Sequence, residues 1–188
     1  RSNFLILENW LVPLSITIVL GTVPSTSDSL LYVAYFSLFG LFYLIGQNSN
    51  YNEKGLRDNP YKVIGTLGIL ILLFVSSFEG FWSGLRRENL FWENLVYATD
   101  FWVSLAITLL GLFYFLQQKK DEKWGGLSPF TPIFLLFIPI FILGYFSTFS
   151  VILVNIIILG LSIFIIVEGA KKEHLGILNF GLSIITLW

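Results

Sequence analysis

The sequence predicts an all-α protein, a polytopic transmembrane helical bundle of six full spans plus a partial seventh. Three observations carry that reading. Hydrophobic residues fill 55% of the 188 positions and charged residues only 12%, about half the charge that a soluble domain carries. Mean hydropathy is +0.79. Apolar runs recur at the length that a helix needs to cross a bilayer, about 20 residues. So little charge cannot cover a water-facing surface of this size, which excludes disordered, collagen-like and coiled-coil chains. A net charge of −1 gives nucleic acid nothing to bind. With no Cys and a single His, His174, disulfides, thiolate sites and a histidine-based zinc site fall away. No metal and no cofactor are expected.

The spans, in order, are residues 4–23, 29–46, 61–81, 96–117, 129–147 and 149–168. The run 175–188 has 14 residues. As a helix it measures about 21 Å, short of a hydrocarbon core of about 30 Å. In lipid every backbone polar group needs an internal partner, so these runs are helices. A β-barrel requires alternation of polar and apolar residues, and Leu67 to Phe74 (LGILILLF) shows none. Pro60 and Pro129 stand at span starts, where a missing N–H costs nothing, with Asn59 and Ser128 before them as N-caps. Pro13, Pro132 and Pro139 fall within spans and should kink them. Pro24 to Ser29 is a turn cluster. Thr22-Val23-Pro24 makes a poor cleavage site, so the first span is not a secretory signal. Arg1 is not a translation start and the last run is still open at Trp188, so residues 1–188 read as a single transmembrane domain within a longer chain.

The connections orient the chain. Placing Arg1 on one side puts Lys54, Arg57, Lys62, Lys119, Lys120, Lys123, Lys171 and Lys172 there with it; the other side receives Arg86 and Arg87. Nine against two is a positive-inside bias, which makes the first side cytoplasmic. A Gly-Leu step recurs at Gly40, Gly111 and Gly160, on spans of the same direction, and hints at tandem helical hairpins. The spacings, 71 and 49 residues, are unequal, and Gly and Leu are common in membrane helices.

Ionisable groups inside spans are the default functional candidates in a membrane protein, because each is costly to insert. Asp100, one turn into the fourth span, and Glu79, near the outer end of the third, are the candidate acid/base residues. Residues 79–102 (EGFWSGLRRENLFWENLVYATDFW) hold four acids, two arginines and three tryptophans. The pattern over 85–96 predicts a short interfacial helix. Arg86, Arg87, Trp82 and Trp92 are the candidate ligand-binding residues, with the arginines gripping the phosphate or carboxylate of an anionic lipid or substrate. The alternative is an aromatic belt with local ion pairs, the arginines answering Glu79 and Asp100. Ion pairs are the commoner cause of such clusters. Asp100 should point toward the third span and meet Arg86, Arg87, Ser76 or Ser83, since lipid leaves its desolvation uncompensated. Ser76, Gly80 and Gly84 form a small-residue stripe that permits close helix approach. Asn155 should hydrogen-bond another helix, and Glu168 should pair with Lys171 or Lys172. No nucleotide loop and no Ser/His/Asp set is present.

The segment Val167 to Leu182 (VEGAKKEHLGILNFGL) carries a Gly at a span end, basic residues, and a following Leu-Asn-x-Gly: Gly169, Lys171, Lys172, Leu178, Asn179 and Gly181. It resembles a family of uncharacterised bacterial polytopic membrane proteins, the domain-of-unknown-function 2157 type. The resemblance implies a bacterial inner-membrane location and further spans, and no activity or site residues. Together these features describe an integral inner-membrane component that binds lipid or a partner protein at its outer interface, with the bilayer itself and a homo-oligomer among its partners. Alternatives are a transporter or permease fragment, which the apolar middles of spans two, three and five argue against, and a membrane-embedded enzyme acting on lipid-linked substrates through Asp100 or Glu79.

The orientation is directly testable. The chain has no cysteine, so a thiol introduced by Lys120→Cys should react with an impermeant reagent only after intact cells are opened.

Overall fold

A computed structural model describes residues 2–25, 28–47, 59–87, 97–121 and 130–188. All of its regular structure is helical. The elements are α1 (Ser2–Leu20), α2 (Asp28–Gln47), α3 (Pro60–Ser76), α4 (Glu79–Arg87), α5 (Thr99–Asp121), α6 (Phe130–Phe146), α7 (Phe149–Lys171) and α8 (Leu175–Leu187). Helices are the outcome expected of chains this apolar, because each closes its own backbone hydrogen bonds.

The span count differs from the sequence reading. Among the described residues three helices, Ser29–Gln47, Thr99–Gln118 and Phe149–Lys171, are long and apolar enough to cross a membrane, or four if the pair Pro60–Ser76 and Glu79–Arg86 counts as one span. Six full spans and a partial seventh are not found. Asn9–Leu20, Leu135–Phe146 and Leu175–Leu187 are apolar but shorter. The third run, read as continuous through residue 81, breaks after Ser76 and turns by 78° into α4. The basic connections at 48–58 and 122–129, with Ser128, lie outside the described residues.

The residues fall into two compact units, Arg1–Ile71 with Arg87–Phe134, and Leu72–Arg86 with Leu135–Trp188. In the first, α2 packs along α5. The buried cluster Leu20, Ala34, Leu38 and Phe42 is flanked by Tyr61, Ile64, Val103 and Ile107. Polar groups are placed where they find one another. Ser37 and Thr108 share a hydrogen bond of 2.7 Å between α2 and α5, and the Tyr35 hydroxyl donates to Thr17 O at 3.1 Å between α2 and α1. Asn59, 1% exposed, serves two helix ends at once. Its Oδ1 accepts the Lys62 N–H at 3.1 Å, capping α3 as the sequence predicts. Its Nδ2 donates to Gly46 O at 2.7 Å, in the last turn of α2.

In the second unit α7 and α8 lie against each other. Gly169 O accepts the His174 N–H at 2.9 Å, and Glu173 takes a left-handed backbone with φ 50° to make that reversal. The Glu168 carboxylate pairs with Lys172 at 2.7 Å, one helical turn on. The run from Leu175 is helical, as read.

Asn59 generates a prediction. Asn59→Ala removes a cap and orphans a buried carbonyl together, and should destabilise the chain by about 1–3 kcal/mol. Asn59→Ser keeps a cap acceptor and should cost about half as much. Thermal unfolding of the detergent-solubilised protein checks both.

Candidate functional site

The polar chemistry of the second unit gathers at the elbow between α3 and α4. Breaking a helix in apolar surroundings frees carbonyls that must find donors. The Ser76 hydroxyl bonds back to Leu72 O at 2.9 Å and Leu73 O at 3.0 Å, and that of Ser77 to Phe74 O at 2.7 Å. The carbonyls of the two serines are served by side chains. Trp82 Nε1 donates to Ser76 O at 2.7 Å. Asn155 Nδ2, from α7, donates to Ser77 O at 3.2 Å and to Val151 O at 2.8 Å. Asn155 Oδ1 in turn accepts Trp188 Nε1 at 2.7 Å. Asn155 thus makes the interhelical bond read from the sequence.

Trp82 is the largest fully buried side chain among the described residues. Its six-membered ring rests on Gly144 of α6, so closely that a Cβ there would collide with Cζ3 and Cε3. Phe141 lies beside it, ring centres 6.2 Å apart. One turn further along α4, Arg86 forms an ion pair with Glu79 and donates through Nη1 to Gly144 O at 3.3 Å. The Arg86 side chain is 25% exposed and that of Glu79 is 51% exposed. The elbow therefore fixes a guanidinium in place while leaving part of it open, with two of its five N–H donors engaged in these bonds.

Three of the residues singled out by the sequence, Glu79, Trp82 and Arg86, come together here. Arg87 ends α4, but its side chain and all of Trp92 lie outside the described residues, as does most of the interfacial helix expected over 85–96. Asp100 belongs to the other unit. It is buried, 2% exposed, and its carboxylate accepts the Phe101 N–H at 3.1 Å in the first turn of α5, where the helix dipole favours an anion. The stripe Ser76, Gly80, Gly84 is not a helix contact. Ser76 is buried, but Gly80 and Gly84 are exposed, and a Cβ on either would meet no described side chain or neighbouring helix within 4 Å; past the 78° turn α4 runs in a different direction from α3.

Gly144 and Trp188 are the residues that sequence reasoning missed. Gly144 carried one signal, a lone glycine in an otherwise bulky helix, FTPIFLLFIPIFILGYF. Among the described residues no group of three or more His, Asp or Glu is placed to hold a metal ion. Comparison with family models, curated proteins and solved structures found no match.

The seat of Trp82 is open to a double-mutant cycle. Gly144→Ala should destabilise the chain by about 1–3 kcal/mol, the usual cost of overpacking. In a Trp82→Leu background the same change should cost less than half as much, since the colliding ring is gone. Equilibrium unfolding of the four proteins measures the coupling.

Proposed function

We propose that this chain is a non-enzymatic integral membrane component whose α3–α4 elbow binds the headgroup of an anionic lipid. The observation that carries the reading is Arg86, a guanidinium anchored by Glu79 and Gly144 O and still partly exposed. A planar, permanently charged fork suits a phosphate, which it grips bidentately. The setting suits a bilayer interface. Helix α4, EGFWSGLRR, is short and amphipathic and leaves α3 at 78°, the geometry of a segment lying along a membrane surface rather than crossing it. The exposed faces are apolar as a lipid-facing surface should be, with Ile71, Phe113 and Ile156 each about 60% exposed. Glu79 acts as the resident counter-ion, which an arriving headgroup displaces.

The reading predicts opposite effects for the two members of the pair. In nanodiscs, replacing phosphatidylcholine by phosphatidylglycerol should raise the Tm of the parent protein by about 2–4 °C, the shift that ~1 kcal/mol of binding gives in a chain of this size. Arg86→Gln should abolish that gain, and Glu79→Gln should enlarge it. An equal gain in all three proteins, or none in the parent, overturns the proposal.

A further inference from the structure

Two antiparallel helix pairs, α2 with α3 and α7 with α8, are built on the same contacts. In the first pair, a Cβ placed on Gly46 would lie 2.5 Å from Lys62 N; in the second, a Cβ on Gly169 would lie 2.5 Å from Leu178 N. Three residues after Lys62 stands Gly65, and three after Leu178 stands Gly181. A Cβ on Gly65 would meet Tyr43 N at 2.6 Å and Phe39 O at 2.8 Å. A Cβ on Gly181 would meet Ile166 N at 3.0 Å and Ser162 O at 3.1 Å. Tyr43 and Phe39 precede Gly46 by three and seven residues, as Ile166 and Ser162 precede Gly169.

The residues before the second helix of each pair match as well. Asn59 caps α3 by accepting the N–H three residues on, at 3.1 Å; His174 caps α8 by accepting the N–H three residues on, through Nδ1 at 3.4 Å. Each cap also donates to the carbonyl of the first glycine. Asn59 uses its side-chain amide, to Gly46 O at 2.7 Å, and His174 its backbone N–H, to Gly169 O at 2.9 Å. The correspondence survives a large difference in connection. Asn59 follows Gly46 by 13 residues and His174 follows Gly169 by five. It slips in one place, since the cap precedes Lys62 by three residues and Leu178 by four.

Helix periodicity yields the offsets of three and seven once one contact is set. It does not place glycine at both crossing points of both pairs. Nor does it make each cap serve the carbonyl of the preceding glycine. From these coincidences we infer that α2–α3 and α7–α8 are two copies of one helical hairpin, a unit that the chain uses twice, and that a part of one copy works in the other when moved in register.

Two transplants into the full-length protein test this, read as Tm in detergent. In the first, the five residues Lys62 to Thr66 replace Leu178 to Leu182 in register, as Leu178→Lys, Asn179→Val, Phe180→Ile and Leu182→Thr, with Gly181 kept. A control sets the same five residues one position later, which moves the glycine off the crossing. The in-register variant should melt at least about 4 °C above the control, a difference that ~1–2 kcal/mol of close packing produces. The second transplant exchanges the cap, a position where misfolding is not a concern because His174 is exposed. His174→Asn, which installs the first copy's cap, should match the parent, while His174→Ala should melt about 2–4 °C lower. If the two register variants melt alike, or if Asn at position 174 does no better than Ala, the hairpins are not equivalent.

Discussion

The second unit depends on how the α3–α4 elbow disposes of its carbonyls. A helix that stops within an apolar environment leaves acceptors with no solvent to turn to, and each unmet group costs on the order of the full desolvation penalty. At this elbow the Ser76 and Ser77 carbonyls are met by an indole and an amide, from Trp82 and Asn155. The two donors come from different places, one from the helix beyond the break and the other from α7. The bend is thereby tied to the packing of the unit and is not a local accident of sequence. Trp82 contributes a second constraint, because its ring requires a glycine opposite it. Removing any one member leaves the others in a geometry that no longer satisfies them.

The same economy runs through the rest of the molecule. Hydroxyls within helices turn back on their own carbonyls, as Thr17 does on Pro13, Thr66 on Lys62 and Ser162 on Ile158, at 2.7–2.8 Å. A few polar groups are reserved for joining helices: Ser37 with Thr108, Asn59 with Gly46, Asn155 with Trp188. With only 12% of residues charged, such contacts carry the specificity of helix pairing that apolar side chains, equally content against lipid, do not supply.

Much of this was legible in the sequence, and the failures have physical reasons. The all-helical class followed from composition, and the cap at Asn59, the partner of Glu168, the interhelical role of Asn155 and the helix from Leu175 from local pattern. The break after Ser76 was hidden because a hydropathy window averages over Ser76-Ser77-Phe78-Glu79-Gly80 and sees an apolar run with a polar end. The break is served by two donors, Trp82 six residues on and Asn155 from the distant α7, and the second is invisible to any local window. The Gly80–Gly84 spacing suggested packing, yet spacing reports a shared helix face and not whether anything lies against it. The Gly-Leu steps at Gly40, Gly111 and Gly160 hint at a repeat, whereas the glycines whose contacts coincide are Gly46 and Gly169. A glycine's role is set by what it faces, and one sequence does not contain that. The nearness of Glu79, Trp82 and Arg86 is legible, since all three sit on one short helix; Gly144, against which Trp82 and Arg86 lie, comes from a distant one.

The bond between Trp188 and Asn155 also bears on how α8 moves. A helix at the edge of a fold ordinarily frays from its outer end, and its amides exchange hydrogen in a gradient along its length. Helix α8 is held at its start by the Gly169–His174 reversal and at its end by Trp188, with Gly181 pressed against α7 between them. Its amides should therefore exchange in a single concerted opening, as one block rather than a zipper.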